Sequence, residues 1–307
     1  PIVHRLVEDI SKMCSEKIDK IAFVIGDFGE AVEQELLQVA ETLGAKGSIH
    51  HQTEPLGTAH AVLCAKSCLE GPVIVAFADT LFKADFQISE QTEGMIWVKK
   101  IEDPSAFGVV QLDEKNVIID FVEKPKEFIS DLAMIGIYFF KNGATLKMEL
   151  DYLLENDLQK GGEYQLPDAL RRLTEKGTVF MPGQVDAWLD CGNKKVTVET
   201  NKHVLNFDQE RGVNLRHSSA EVKNSIVIEP CFLGEGSRVE NSVIGPHVSL
   251  GEGSKVENSI LKNCLIQQNT SLENQVLKDS MIGSFASVSN KAKDLSVGDF
   301  TSIDDAL

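Results

Sequence analysis

Apolar residues recur along the first part of this chain at two alternating periods. Helical spacing predicts amphipathic helices over Ile2–Met13, Glu30–Leu43, Asn142–Asn156 and Leu166–Lys176. Short β-rich runs predict strands at Ile21–Ile25, Lys46–His51, Met95–Lys100, Gly108–Leu112, Ile118–Val122 and Met134–Phe140. Between them, a Pro55-Leu56-Gly57-Thr58 loop opens an apolar-periodic helix through Ala61, Val62, Leu63, Ala65 and Leu69. A Gly71-Pro72 turn then leads into the continuous run Val73–Ala78, predicted as a buried strand that stops at Asp79. This alternation predicts an α/β sandwich around a mostly parallel sheet. In such a sheet the carboxyl ends of the strands border the ligand crevice, so Asp79 stands where a metal on a phosphate substrate takes an oxygen ligand. An aspartate that merely caps the next turn satisfies the same pattern.

Past a charged stretch at Asp208–Arg216, expected as a linker, the pattern changes. Leu233-Gly-Glu-Gly-Ser-Arg-Val-Glu-Asn-Ser-Val243 recurs as Leu250-Gly-Glu-Gly-Ser-Lys-Val-Glu-Asn-Ser-Ile260, identical at nine of eleven positions and displaced by 17. Aliphatic residues at Leu233, Val239, Ile244, Leu250, Val256, Leu261, Ile266, Leu272, Leu277, Ile282 and Val288 step by five or six. That rhythm places one aliphatic side chain in each short strand, three strands per coil, and stacks them into a continuous column. It resembles the left-handed parallel β-helix of hexapeptide-repeat proteins. A histidine in such repeats acts in some relatives as the general base of acyl transfer. Here His247 is the one histidine of the repeats and sits in an ordinary Gly-Pro-His-Val turn, which favours a scaffold or oligomerisation role.

Composition narrows the classes. The 307 residues are 42% hydrophobic and 25% charged, enough for two domains with a substantial core. With 30 Lys and Arg against 47 Asp and Glu, the net charge of −17 opposes nucleic acid and anionic membranes as partners. Any bound phosphate must be held locally. The six cysteines have neither metal spacing nor a disulfide framework, so reduced, mostly buried thiols in a cytoplasmic protein are expected. No apolar run approaches the roughly 18 residues of a membrane span, and no signal-peptide pattern is present.

Four more segments carry chemistry. Ser105-Ala-Phe-Gly-Val-Val110 starts a strand at Gly108, where a missing side chain lets a ring-shaped ligand approach the backbone. Phe121-Val-Glu-Lys-Pro-Lys126 ends a strand on a carboxylate beside an ammonium, suited to a hydroxyl and a phosphate, or equally a solvated strand end. Gly161-Gly-Glu-Tyr-Gln-Leu-Pro-Asp168 leads into a helix. Ala187-Trp-Leu-Asp-Cys-Gly192 stops a short apolar run at an aspartate, with Trp188 open to a core role.

In this order the motifs PLGTAHAV, a strand ending in Asp79, FGVV, VEKPK, GEYQLPDA and WLDCGN resemble the sugar-1-phosphate nucleotidylyltransferases, especially glucose-1-phosphate thymidylyl- and uridylyltransferases. The resemblance implies a Rossmann-like three-layer α/β nucleotidyltransferase domain over residues 1–208, without its first strand, followed by a left-handed β-helix over 221–307. It implies transfer of a nucleotidyl group, dTTP or UTP being the expected donors, to a sugar 1-phosphate with release of pyrophosphate. Matching motif positions make Gln52, Pro55, Gly57 and Thr58 the nucleotide contacts, and Asp79 and Asp190 the carboxylates that hold Mg²⁺. They make Phe107, Gly108, Glu123, Met134, Gly136, Tyr138, Glu163 and Trp188 the sugar pocket. Lys124 becomes the cation on the sugar phosphate, and with Asp79 and Asp190 forms the catalytic set. A homo-oligomer is expected. Gly161, Pro167 and Cys191 depart from the residues usual in such proteins.

Family members open on a strand and a glycine-rich loop, G-x-G-T-R-L followed by P-K, that cradles the triphosphate. This sequence does not contain it, and Pro1-Ile-Val-His-Arg-Leu matches the helix after it. The expectation is a fragment of a longer enzyme, inactive as it stands. The alternative is a non-catalytic regulatory or assembly subunit that binds a nucleotide sugar without turnover.

Overall fold

Helix α1 (Ile2–Met13) buries Leu6, Ile10 and Met13, the face that the apolar spacing marked. In the computed structural model, residues 2–84, 88–89, 91–291, 296–297 and 299–300 are described, and they fall into two units, Pro1–Leu189 and Asp190–Leu307.

In the first unit β1 (Lys20–Ile25), α2 (Glu30–Thr42) and β2 (Lys46–His51) form a parallel crossover, paired from Lys20 opposite Lys46 to Ile25 opposite His51. Phe23 packs there with Leu36, Val39 and Ala40. Helix α3 (Thr58–Cys64) is followed by β3 (Val73–Ala76), β4 (Thr80–Lys83), β5 (Gly94–Lys100), β6 (Val109–Leu112), β7 (Ile118–Val122) and β8 (Leu132–Phe140). Then come α4 (Gly143–Glu155), α5 (Leu166–Glu175), β9 (Phe180–Gln184) and β10 (Ala187–Asp190), whose last residue begins the second unit.

The main sheet has the order β3-β8-β5-β9-β7-β6, and β4 pairs with β10. The expectation of a mostly parallel sheet is wrong for it. Of its pairings only β5 with β9 is parallel, while β8 runs antiparallel to β3, β5 and β6. For β6 with β7 connection length is the reason: a turn at Asp113–Val117, with Asn116 at φ 64°, joins them, and so short a link permits only antiparallel pairing. Strand β3 also ends at Ala76, two residues short of the expected run, and α3 stops at Cys64 before a separate 3₁₀ turn. Trp97, Phe121 and Phe180 lie fully buried in the core, with Phe180 edge-on to Phe121 and Phe140. A Cβ on Gly94 would stand 2.3 Å from the Phe180 ring, so this close approach needs glycine.

Three elements carry weak sequence signals. Strand β9 contains Pro182 and Gly183, both strand-weakening, yet pairs with β5. Strand β4 is too short for periodicity. In the second unit α6 (Lys194–Glu210) is rich in β-branched residues and begins at an Asn193 cap, whose side chain accepts from the Lys195 and Val196 amides. It takes Asp208–Glu210 out of the expected linker, and Asp208 is buried and paired with Arg211 at 2.8 Å.

The remaining strands of the second unit form a parallel β-helix of about four coils. Leu233, Val239, Ile244, Leu250, Val256, Leu261, Ile266 and Leu272 are buried in one cluster, with Leu277, Ile282 and Val288 packed against it. Coils step by 17 residues from Arg238 to Lys255, then by 16 from Lys255 to Ser271. At one corner Asn224, Asn241, Asn258 and Asn274 adopt φ of 47°, 49°, 49° and 56°, the left-handed conformation that asparagine tolerates. Beside them the Ser225, Ser242 and Ser259 hydroxyls each accept an amide N–H from the next coil, at 3.0, 2.9 and 3.0 Å, satisfying backbone donors inside the stack. All six cysteines are free thiols. Only Cys231 and Cys264, inside the column, are buried, and the other four are half-buried. No helix among the described residues is long and apolar enough to cross a membrane.

Candidate functional site

The loop before α3 is tied to the loop before α5. The Tyr164 amide donates to the Leu56 carbonyl at 2.8 Å, the Ala59 amide to the Tyr164 carbonyl at 2.9 Å, and the Leu166 amide to Thr58 Oγ1 at 2.9 Å. Gly57, at φ 104°, sits so close that a Cβ would lie 2.5 Å from the Tyr164 carbonyl oxygen. Glycine is required there on both counts. Gln52 faces this loop, and its Nε2 lies 3.1 Å from the Gly57 carbonyl and 3.1 Å from His60 Nδ1. Pro55 is exposed on the same loop, and Glu163, also exposed, accepts from Gln165 at 2.9 Å.

A second group gathers around the start of β6. Glu123 follows the end of β7, half-buried, with its Oε2 over Gly108, while Met134 of β8 closes the other side. The Met134 amide donates to the Gly108 carbonyl at 2.8 Å. Burial pushes the Glu123 carboxyl above the ordinary carboxylate range, Lys124 opposes, and Asp168 and Glu163 raise it further. Tyr138 is buried, and its phenol is pushed upward first by burial and then by Glu123. Gly136, at φ 82°, accepts the Phe77 amide at 3.0 Å. Exposed Lys124 takes φ 44° and donates its amide to the Phe107 carbonyl at 3.2 Å.

Phe107 in turn meets Trp188, edge to face, at 4.7 Å between ring centroids. The Trp188 indole N–H is buried and has no acceptor among the described residues. The structure thus brings together Phe107, Gly108, Glu123, Met134, Tyr138 and Trp188, drawn from three separated motifs and strand β8.

The motifs did not mark Arg171 on α5. Its guanidinium donates to Asp120 and Asp168, each at 3.0 Å, and to the Phe121 carbonyl, fastening the start of α5 to the strand that leads into Glu123. Lys160 pairs with the same Asp168 at 2.5 Å. The one sequence signal was the i,i+3 spacing of Asp168 and Arg171.

Asp79 lies exposed in the turn between β3 and β4. Asp190 is half-buried at the end of β10; its carboxylate accepts the Gly192 amide and its carbonyl the Thr200 hydroxyl, each at 2.8 Å. Among the described residues no group of three or more His, Cys, Asp or Glu gathers to hold a metal. Mg²⁺ asks for less, since it keeps several waters and is held by one or two carboxylates together with substrate phosphates. Each of these carboxylates is an oxygen donor of the kind that Mg²⁺ takes.

In the β-helix, His247 Nε2 lies 2.9 Å from Asn206 Oδ1 of α6, and the His247 carbonyl accepts from Asn201 at 3.5 Å. Burial pulls its pKa below the usual histidine value, with Lys202 adding to the effect. A ring nitrogen occupied in this way holds α6 to the coils, the scaffold alternative for this residue.

A family model described as nucleotidyl transferase matches residues 3–206, and a second, described as GlmU-like, C-terminal hexapeptide, matches residues 211–291. The chain is 28% identical to the mannose-1-phosphate guanylyltransferase catalytic subunit beta of Drosophila pseudoobscura pseudoobscura, over 77% of this chain and 63% of the relative. It is 29% identical to the bifunctional protein GlmU of Methanococcus maripaludis, over 75% of this chain and 53% of the relative. It therefore spans between half and two thirds of the length of these relatives. Its fold is similar to that of a putative glucose-1-phosphate thymidylyltransferase from Bacillus anthracis, with a TM-score of 0.55 at 20% identity, over 66% of this chain and 81% of that one.

Proposed function

The chain belongs to the nucleotidyl transferase family, and we propose that its first unit binds a nucleoside triphosphate and a sugar 1-phosphate for conversion to a nucleotide sugar and pyrophosphate. Family members are sugar-phosphate nucleotidyltransferases. For this chain the donor base is proposed as thymine or uracil, and the place of action as the cytoplasm. The observation that carries the reading is the cluster of Phe107, Gly108, Glu123, Met134, Tyr138 and Trp188, with an indole N–H that has no acceptor and a half-buried carboxylate. Apolar walls with a few convergent polar groups suit a sugar ring.

The reaction read for this site is an in-line displacement at the α-phosphorus by the phosphate oxygen of the sugar 1-phosphate. No covalent bond to the protein forms, so positioning and charge neutralisation carry the rate. Glu123 accepts from a sugar hydroxyl, Lys124 neutralises the sugar phosphate, and Gln52 with the Pro55–Thr58 loop holds the base. Asp79 and Asp190 are the residues that would hold Mg²⁺, which when bound neutralises phosphate charge. The β-helix assembles copies of the chain.

The test is calorimetric titration of the 307-residue chain with nucleoside diphosphate sugars that vary in base and in sugar. Saturable binding of one combination, weakened in Glu123→Gln, is expected. No binding across the panel sinks the reading.

A further inference from the structure

The Gln52 side chain can be oriented atom by atom. The Gly57 carbonyl, fixed by accepting the Ala61 amide at 3.1 Å in the first turn of α3, can only accept, so the Gln52 atom 3.1 Å from it is the amide nitrogen. The second hydrogen of that nitrogen is left for His60 Nδ1, 3.1 Å away, and a donor there requires Nδ1 to carry a lone pair. A neutral imidazole has one N–H, which this places on Nε2, the nitrogen that faces Cys64 Sγ at 4.0 Å one helical turn further on. Burial pushes the Cys64 thiol pKa up, so the sulfur stays neutral beside the ring and draws no second proton onto it.

The reverse orientation is costly. Turning the Gln52 amide over would set Oε1 against the Gly57 carbonyl oxygen, two acceptors at hydrogen-bond distance, and would need the imidazole proton moved to Nδ1. With both amide hydrogens used, Oε1 is the end left over: no hydrogen bond engages it among the described residues, and the atom is not sealed from solvent. Gln52 is the residue proposed to contact the nucleotide base, so the base meets an acceptor alone. An acceptor selects a ring edge that donates, as N3–H of uracil or thymine does, whereas cytosine presents a lone pair at the same ring atom.

We infer that His60 is a positioning residue for base recognition: in its Nε2–H tautomer it holds the Gln52 amide so that Oε1 alone faces the base, as the acceptor for a ring N–H of uracil or thymine. His60 acts through Gln52 rather than on the base itself. This inference rests on the nucleotide-binding role proposed for the first unit and adds to it a residue outside the contacts named there.

Two measurements on the full chain test it. Long-range proton–nitrogen NMR correlations of the imidazole rings, at about pH 8 where an ordinary imidazole is neutral, read the tautomer directly, and the spectrum of His60→Asn assigns the His60 signals by their loss. The Nε2–H form is expected, and a His60 ring carrying its proton on Nδ1 overturns the inference whether or not nucleotides bind. Calorimetric titration with UDP and dTDP, each beside its N3-methyl analogue, reads the consequence. The parent chain is expected to prefer the unmodified base by about tenfold or more, and His60→Phe, which keeps a ring but not the acceptor, to narrow that ratio and weaken the unmodified nucleotide about fivefold. His60→Asn offers an amide oxygen where Nδ1 stood and recovers most of the loss, which a merely space-filling ring would not allow. Unchanged affinity and ratio in His60→Phe, or no recovery in His60→Asn, overturns the positioning role. Failure of both nucleotides to bind the parent chain overturns instead the functional reading beneath it. Should circular dichroism show His60→Phe unfolded, the tautomer and the parent chain's N3-methyl ratio decide, and a ratio near one overturns the inference.

Discussion

The Glu123 carboxylate occupies the space that a side chain on Gly108 would fill: a Cβ there would stand 2.7 Å from Glu123 Oε2 and 2.4 Å from Met134 Cε. Gly108→Ala must therefore displace both the carboxylate and the methionine. Overpacking of this kind costs about 1–3 kcal/mol. Thermal denaturation is expected to show that loss, and calorimetry a matching loss of nucleotide-sugar binding. Unchanged affinity would separate Glu123 from the ligand.

Glu123 also fixes a pH dependence. Burial raises its pKa in the folded chain above the unfolded value, so the folded state binds the extra proton more tightly. The associated stability is present below the unfolded carboxylate pKa and is lost as pH rises through the raised one. Urea denaturation at a series of acidic to neutral pH values should give Glu123→Gln a flatter profile than the parent chain. Parallel profiles would contradict the burial argument.

Trp188→Phe keeps an aromatic edge against Phe107 and removes the buried N–H that has no protein acceptor. Nothing in the unliganded fold loses a hydrogen bond, so the melting temperature should hold. Binding of a nucleotide sugar should weaken by about 1 kcal/mol, the net value of one hydrogen bond. A fall in stability with affinity intact would make Trp188 a core residue only.

Leu261 is fully buried in the aliphatic column, with coils above and below it. Leu261→Ala leaves a cavity in a stack that has little freedom to close, and a loss of about 2–5 kcal/mol is expected from denaturant unfolding of the full chain. Val276→Ala, at an exposed position of the coils, should change stability by less than about 0.5 kcal/mol, as exposed positions do. Equal costs at the two sites would contradict the division between the buried column and the exposed outer face.

If Asp79 and Asp190 hold Mg²⁺, added Mg²⁺ should tighten binding of a nucleoside triphosphate, and Asp79→Asn or Asp190→Asn should reduce that gain by something on the order of tenfold. Calorimetry with and without the ion measures it. A gain that both asparagine variants keep in full would remove the metal assignment.

Local pattern was enough for much of this fold. Helix α1 runs over Ile2–Met13 as its apolar spacing predicts, and all eleven aliphatic positions of the hexad rhythm lie in or against the column. What escaped depends on distant partners. The antiparallel placement of β8 follows from pairings with β3, β5 and β6, none visible in its own Leu132–Phe140 pattern. Helix α6 forms on an Asn193 cap and on packing that outweigh the low propensity of its Val and Thr residues. The grouping of Phe107, Gly108, Glu123 and Trp188 follows an ordered set of motifs. Arg171 was not legible, because its partners Asp120 and Phe121 lie far away in the chain and no spacing joins them.

The change from 17 to 16 residues per coil has a single location. Val243 to Val248 spans one residue more than its partners Ile260 to Cys264, so the surplus lies in the Gly245-Pro246-His247 corner and every column stays aligned across it. The β-helix thus has a seam where length varies without shifting what is stacked above or below. His247 of that corner has its ring 2.9 Å from Asn206 of α6. Removing one residue from this corner should leave the coils wound and deprive α6 of its His247 contact while the Asn201–Ser249 hydrogen bond stays, so one handhold of the helix depends on the length of a single corner.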